Sequence, residues 1–219
     1  MSQSFDIHQA IPILREEVRN LATPAVGRVA KKGRDPYRVL ISCLLSLRTQ
    51  DKTTWNASAR LFQKADTPQA MIALSETEIR EAIYPVGFYR RKAQVILDVS
   101  RTLLEQFGGK APRDLDDLLS IRGVGRKTAN LVLTVAYGLP GICVDTHVHR
   151  ITNRWGYVQT KGPDATEIAL RQHLPGEYWI ELNDLLVPFG QAVCKPISPL
   201  CTTCPLDVMC PKLGVTRHR

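Results

Sequence analysis

Four cysteines late in the chain, Cys194, Cys201, Cys204 and Cys210, stand at a spacing that can close a metal site. Six residues separate the first pair, two the second and five the third, so seventeen residues supply four thiolates. Thiolates are soft ligands that select iron–sulfur clusters, zinc or Cu(I). Pro196, Pro199 and Pro205 lie among them and favour a loop that wraps an ion or cluster over a helix. Zinc sites more often present two short Cys-x-x-Cys hooks, and this run has one, Cys201 to Cys204, so the spacing leans to a cluster and leaves zinc open. Two disulfides are the bland alternative, and nothing else in the sequence points to an oxidising compartment.

A second group of residues lies between Leu118 and Asn130. Here Arg122-Gly123-Val124-Gly125-Arg126-Lys127-Thr128-Ala129 follows a short apolar stretch and opens another. The pattern predicts a short helix, a turn in which Gly123 and Gly125 take positive φ or admit another backbone, and a second helix from Arg126 to about Tyr137. Free N–H groups at the start of that second helix, together with its dipole, make an anion site that suits a DNA phosphate, and Arg126 adds charge. A hairpin whose glycines merely turn the chain is the plain alternative. Lys127 stands in the first turn, where the positive end of the dipole disfavours an ammonium and eases access to the neutral amine. A neutral amine is a nucleophile able to form a Schiff base, although most lysines so placed are solvated or bind phosphate.

The third group is Cys143-Val144-Asp145-Thr146-His147-Val148-His149. Asp145 stands where a helix begins; it is either that helix's N-cap or a carboxylate that assists as general base and stabilises developing positive charge. His147 and His149 lie two apart, and no third ligand accompanies them.

The elements that must position these groups are helical. Pro36 opens a helix carrying Val39, Leu40, Ile41, Leu44 and Leu45; Thr67 and Ser75 cap two more; Lys92 to Gln106 carries Val95, Ile96, Val99, Leu103 and Leu104 at helical spacing and stops at Gly108-Gly109; Asp114 starts another. The best strand candidate, Ile142-Cys143-Val144, is too short to found a sheet. The fold class is therefore all-α with short connections. In 219 residues, 44% of them apolar, there is material for one large or two small domains. No signal peptide and no membrane span are expected, which places the chain in the cytoplasm, associated with the nucleoid. The formal charge of +8 points to a polyanionic partner. It is spread over short groups, Arg28 to Arg38, Arg90 to Lys92 and Arg122 to Lys127, as on a folded basic surface.

Together the hairpin from Leu118 to Asn130, the Val144-Asp145-Thr146-His147 segment and the four-cysteine loop resemble the endonuclease III family of DNA base-excision glycosylases, in that family's order and spacing. The resemblance covers about Pro36 to Cys210. It implies two helical domains with a DNA cleft between them: a six-helix domain over 29–140 containing the helix-hairpin-helix (about 115–137), and a domain formed by 1–28 plus 141–219. It implies a structural 4Fe–4S cluster on Cys194, Cys201, Cys204 and Cys210, with Lys127 and Asp145 as the catalytic pair. The reaction implied is removal of oxidised pyrimidines from double-stranded DNA, followed by cleavage 3′ to the abasic site. Gly123, Val124, Gly125, Arg126 and His147 match DNA-contact positions, Phe88 the position of an apolar wedge, and the protein is expected to act as a monomer. Arg48 departs from the family, many of whose members have glutamine there facing the orphaned base. Adenine glycosylases of the same superfamily lack a lysine at the position of Lys127. A non-catalytic DNA-binding module does not account for Lys127 and Asp145 together, and an iron–sulfur electron carrier does not account for the large basic helical body.

Overall fold

The computed structural model describes residues 5–19, 21 and 34–219. The basic residues Arg28, Lys31 and Lys32 and the domain boundary expected near 28 lie outside the described residues. In chain order the helices are α1 (Ile7–Val18), α2 (Pro36–Ser46), α3 (Asp51–Lys64), α4 (Pro68–Ile72), α5 (Glu76–Ile83), α6 (Tyr89–Gln106), α7 (Leu115–Ser120), α8 (Arg126–Leu131), α9 (Thr146–Arg154), α10 (Pro163–His173) and α11 (Glu181–Ala192). Among the described residues there is no β-strand, and Ile142-Cys143-Val144 is a buried connection. No described helix is long and apolar enough to cross a membrane.

The chain divides into two compact units, Met1–Thr23 with Ile142–Arg219, and Pro24–Gly141. In the second of these, α2 is apolar on nearly every side: Val39, Leu40, Ile41, Cys43, Leu44 and Leu45 are all buried. Such a helix belongs inside, and α3, α6 and α8 pack around it. Tyr37, at its start, is buried too and reaches the Ser100 hydroxyl on α6 at 2.7 Å. Local caps set the helix starts. The Thr67 hydroxyl accepts from Ala70 N–H, and Ser75 and Glu78 form a reciprocal capping box. Asp114 caps α7 through the N–H groups of Asp116 and Asp117. Helix α6 begins at Tyr89, three residues before the apolar stripe suggests, because Phe88 turns into the left-handed region (φ 58°) and the helix starts directly after it.

The other unit centres on α11. Leu182, Leu185, Leu186 and Phe189 meet Ile11 and Leu14 of α1, and Val148, Ile151 and Trp155 on or beside α9. Phe5 stacks on Trp155 with ring centroids 4.5 Å apart. This packing fixes α9, the helix that begins at Asp145, against the segment that leads into the cysteine loop.

Candidate functional site

In the Pro24–Gly141 unit, α7 and α8 form the expected helix-hairpin-helix. Gly123 takes φ +96°, and a Cβ there would sit 2.8 Å from Val95 Cγ1 of α6, so what approaches is a side chain rather than another backbone. Gly125 corrects the reading of the turn. Its φ is −95°, and a Cβ there would meet nothing within 4 Å. Its backbone needs no glycine, and the space beside it is open to a ligand. Val124 is buried and anchors the turn, donating its N–H to Ile121 O at 3.0 Å. No side chain caps α8.

Arg126 and Lys127 occupy the first turn of α8, half-buried, and the next three residues are buried. Beyond Leu131 the helix widens into a π turn over Val132–Ala136. Asn130 donates from Nδ2 to Arg126 O at 3.0 Å, and the Thr134 hydroxyl donates to Asn130 O at 2.9 Å. These side-chain bonds on helix carbonyls accompany the widening, a distortion often found in functional helices. Burial pushes the Cys43 thiol of α2 up to about 12, while the charge of Lys127 pulls it the other way. Buried and held neutral, Cys43 is an inert thiol.

Arg48 and Phe88 come together in this unit. The Arg48 guanidinium lies over the Phe88 ring, 5.8 Å from its centroid. Phe88 is 62% exposed, so it is not a core aromatic.

In the other unit, Asp145 is the N-cap of α9. A single oxygen, Oδ1, accepts from His147 N–H at 2.8 Å and Val148 N–H at 2.9 Å, which leaves Oδ2 outside the cap. His147 turns its Nδ1 to within 3.0 Å of Arg150 Nη2. Its ring lies so close to Gly190 that a Cβ there would sit 2.4 Å from Nδ1. His149 reaches the Thr166 hydroxyl at 2.7 Å, a structural contact. Lys127 belongs to one unit and Asp145 to the other.

All four loop cysteines line one hollow, walled by Trp155, Phe189, Val193, Leu200 and Val215. None of the four is in a disulfide, which removes that reading. Among the described residues no group of three or more His, Cys, Asp or Glu is placed to hold a single metal ion. Burial holds the Cys204 thiol up at about 11 and pushes Cys210 the same way, against the pull of the N–H groups of Leu206 and Lys212 respectively. In such an apolar wall a thiolate needs a cation beside it, which is what a bound iron centre supplies. Four thiols around one hollow are a donor set that suits a thiolate-bound metal centre, iron–sulfur or zinc alike.

Two residues beside this hollow are missed by sequence reasoning. Arg154 donates from Nη1 to Cys194 Sγ at 3.3 Å and to Lys195 O at 2.7 Å, and from Nη2 to Pro196 O at 2.8 Å. Arg150 donates to Cys194 O at 2.8 Å and to Gly190 O at 3.1 Å. Four residues apart on α9, they tie the helix begun by Asp145 to the first cysteine of the loop. Their spacing on one helix face was visible; their partners, some forty residues away, were not.

Residues 41–175 match the model of the HhH-GPD superfamily of base excision DNA repair proteins. The endonuclease III of Thermotoga maritima is 45% identical over 195 residues, covering 88% of this chain and 92% of its own. Endonuclease III homolog 1, chloroplastic, of Arabidopsis thaliana is 46% identical, and the match covers 80% of this chain but only 48% of the longer plant protein. A solved structure of a trapped endonuclease III–DNA covalent intermediate, an estranged-adenine complex, superposes with a TM-score of 0.84 at 33% identity, covering 97% of each chain. With the hairpin, the capped Asp145 and the four-cysteine hollow all present, this chain belongs to the endonuclease III family of helix-hairpin-helix base excision DNA repair enzymes.

Proposed function

We propose that this chain excises oxidised pyrimidines from double-stranded DNA and then cuts the strand, with Lys127 as nucleophile and Asp145 as its acid–base partner. A DNA glycosylase with AP lyase activity is what the family membership establishes. The single observation that carries the residue assignment is a lysine, half-buried, in the first turn of the helix that follows the hairpin. The relative trapped covalently on DNA supports a nucleophile of this kind.

The target base leaves the stack, at a cost that is least for a damaged base. The Lys127 amine attacks C1′ of the sugar, the bond from C1′ to the base breaks, and the base departs with the electron pair. Asp145 stabilises the positive charge that grows on the sugar and takes the proton that the attacking nitrogen gives up. The C1′–O4′ bond then breaks, O4′ taking a proton, and C1′ and the lysine nitrogen are left as a Schiff base that acidifies C2′–H. Loss of that proton expels the 3′ phosphate by β-elimination. The open side of Gly125 and the N–H groups at the start of α8 receive a backbone phosphate, with Arg126 beside them. Phe88 fills the vacated stack as an apolar wedge.

The family binds a 4Fe–4S cluster, and we assign its ligands here to Cys194, Cys201, Cys204 and Cys210. Its contribution when bound is structural, holding the loop after α11 in shape. Protein prepared without oxygen is expected to carry about four irons and four sulfides per chain, and Cys204→Ala is expected to lose both. Zinc at one equivalent with no sulfide would reject the assignment.

Arg48 sets the preference for the base opposite the lesion. Guanidinium carries donors only, so it suits O6 and N7 of guanine and meets adenine's exocyclic amine poorly. A bidentate contact is worth about 1–3 kcal/mol, hence roughly a tenfold faster single-turnover excision of one oxidised pyrimidine opposite guanine than opposite adenine. Arg48→Gln should shrink that ratio. A phosphate contact instead would weaken binding to every duplex alike and reduce its salt dependence. Equal ratios in the two proteins would remove Arg48 from the orphaned base, and no excision of any oxidised pyrimidine would overturn the substrate assignment.

A further inference from the structure

Lys92 lies on the apolar stripe of α6 that runs through Ile96, Val99 and Leu103, and its residue is only 8% exposed. A lysine on a buried face is out of place unless its ammonium is satisfied. Here Nζ donates to Leu45 O at 2.8 Å, to Leu47 O at 2.6 Å and to Thr49 Oγ1 at 3.2 Å. All three donors of the ammonium are thus spent on the end of α2 and the turn that follows it. The first two acceptors are carbonyls at a helix C-terminus, where a cation is favoured.

The turn so gripped is strained. Arg48 takes φ +53°, and across from it Phe88 takes φ +58°. Left-handed backbone at residues with long or bulky side chains is unfavourable and persists only where the surroundings over-determine it. The two strained turns are fastened to each other through the neighbours of these residues. Gly87 N–H donates to Thr49 Oγ1 at 3.1 Å, the same hydroxyl that Lys92 holds. A Cβ at Gly87 would sit 2.5 Å from Arg48 O, so only glycine permits this approach. Lys92 also touches the second turn directly, its backbone N–H donating to Phe88 O at 3.0 Å. One residue therefore binds both strained turns, one through its side chain and the other through its main chain. The cost of burying the charge is visible in the ammonium itself, which burial pushes down to about 8.

We propose that Lys92 is a positioning residue that presets Arg48 and Phe88 as a rigid pair and thereby sets how strongly the enzyme discriminates the base opposite the lesion. This rests on the reading that Arg48 meets the orphaned base and Phe88 the vacated stack. Preorganisation is the physical reason it matters: a guanidinium on a loose turn pays to be ordered on every encounter, and its bidentate preference shrinks accordingly.

The test uses whole protein with its cluster and compares wild type, Lys92→Met, Thr49→Val and Arg48→Gln. Lys92→Met keeps the buried stem and deletes the donors. Thr49→Val deletes the shared hydroxyl at a half-exposed site, so it serves if Lys92→Met fails to fold. Two quantities are read: the ratio of single-turnover rates for one oxidised pyrimidine opposite guanine and opposite adenine, and amide hydrogen exchange at Thr49 and Gly87 in the DNA-free protein. The expected result is a ratio that falls from about tenfold to under threefold in Lys92→Met, with about tenfold faster exchange at both amides, and an intermediate fall in Thr49→Val. A uniform rate loss opposite both bases with the ratio intact marks a purely structural lysine and overturns the proposal. Unchanged exchange overturns it as well. If exchange accelerates while neither Lys92→Met nor Arg48→Gln moves the ratio, it is the Arg48 reading that has failed, and the specificity role of Lys92 falls with it.

Discussion

Replacing Lys127 with alanine is expected to abolish borohydride cross-linking to abasic DNA and to lower excision by about 10³-fold or more, the scale on which deleting a covalent nucleophile acts. The fold tolerates the change. Lys127 is half-buried at the surface end of α8, alanine is the best helix former, and the core of this segment is made by Thr128, Ala129, Leu131 and Val132. DNA binding is expected to persist, because the phosphate grip assigned to the hairpin comes from backbone N–H groups and from Arg126. Binding to a duplex with a stable abasic analogue and trapping on a natural abasic site are measured side by side. Trapping that survives in Lys127→Ala would move the nucleophile elsewhere, and binding lost together with trapping would mean that the lysine held phosphate.

Asp145→Asn is expected to lower the single-turnover rate by roughly 10²–10⁴-fold, the contribution of a positioned acid–base group, while leaving stability nearly unchanged. The geometry makes this substitution unusually informative. Oδ1 of Asp145 caps α9 by accepting two N–H bonds. Asparagine is as good an N-cap as aspartate, and its amide oxygen can accept the same bonds. The cap survives and only the charge goes. Asp145→Ala removes both and should cost about 0.5–2 kcal/mol of stability in addition to the rate. Thermal melts and excision rates of the two variants separate the roles. If Asp145→Asn excises at the wild-type rate, capping is all that this carboxylate does.

The same residue shows what kind of information a sequence holds. An aspartate ahead of Thr146-His147-Val148 reads as a cap because capping bonds span two or three residues, and so do the signals at Thr67, Ser75 and Asp114. The cysteine spacing is likewise local, and three of its four thiols pack against one core beside the hollow they share. The hairpin turn was legible for that reason too, apart from Gly125, whose φ follows from how the turn sits rather than from being glycine.

What the sequence by itself determined is thus the all-helical class, the helix starts that carry a side-chain cap, the order of the three chemical groups and the loop that gathers four thiols, because each rests on interactions close together along the chain. What only the tertiary structure decided joins residues roughly forty apart. It turned Phe88 out of the core and laid Arg48 over its ring, pressed Gly190 against His147, and brought Arg150 and Arg154 to the first cysteine of the loop. It also spent a buried ammonium on the strained turn at Arg48. Lys92 left a trace in the sequence, a lysine on an apolar stripe, but the carbonyls that satisfy it belong to another helix, and no periodicity along α6 reports them. The physical reason is that local propensity sets where helices begin and end, whereas a buried polar group is stabilised only by the partners that packing brings to it.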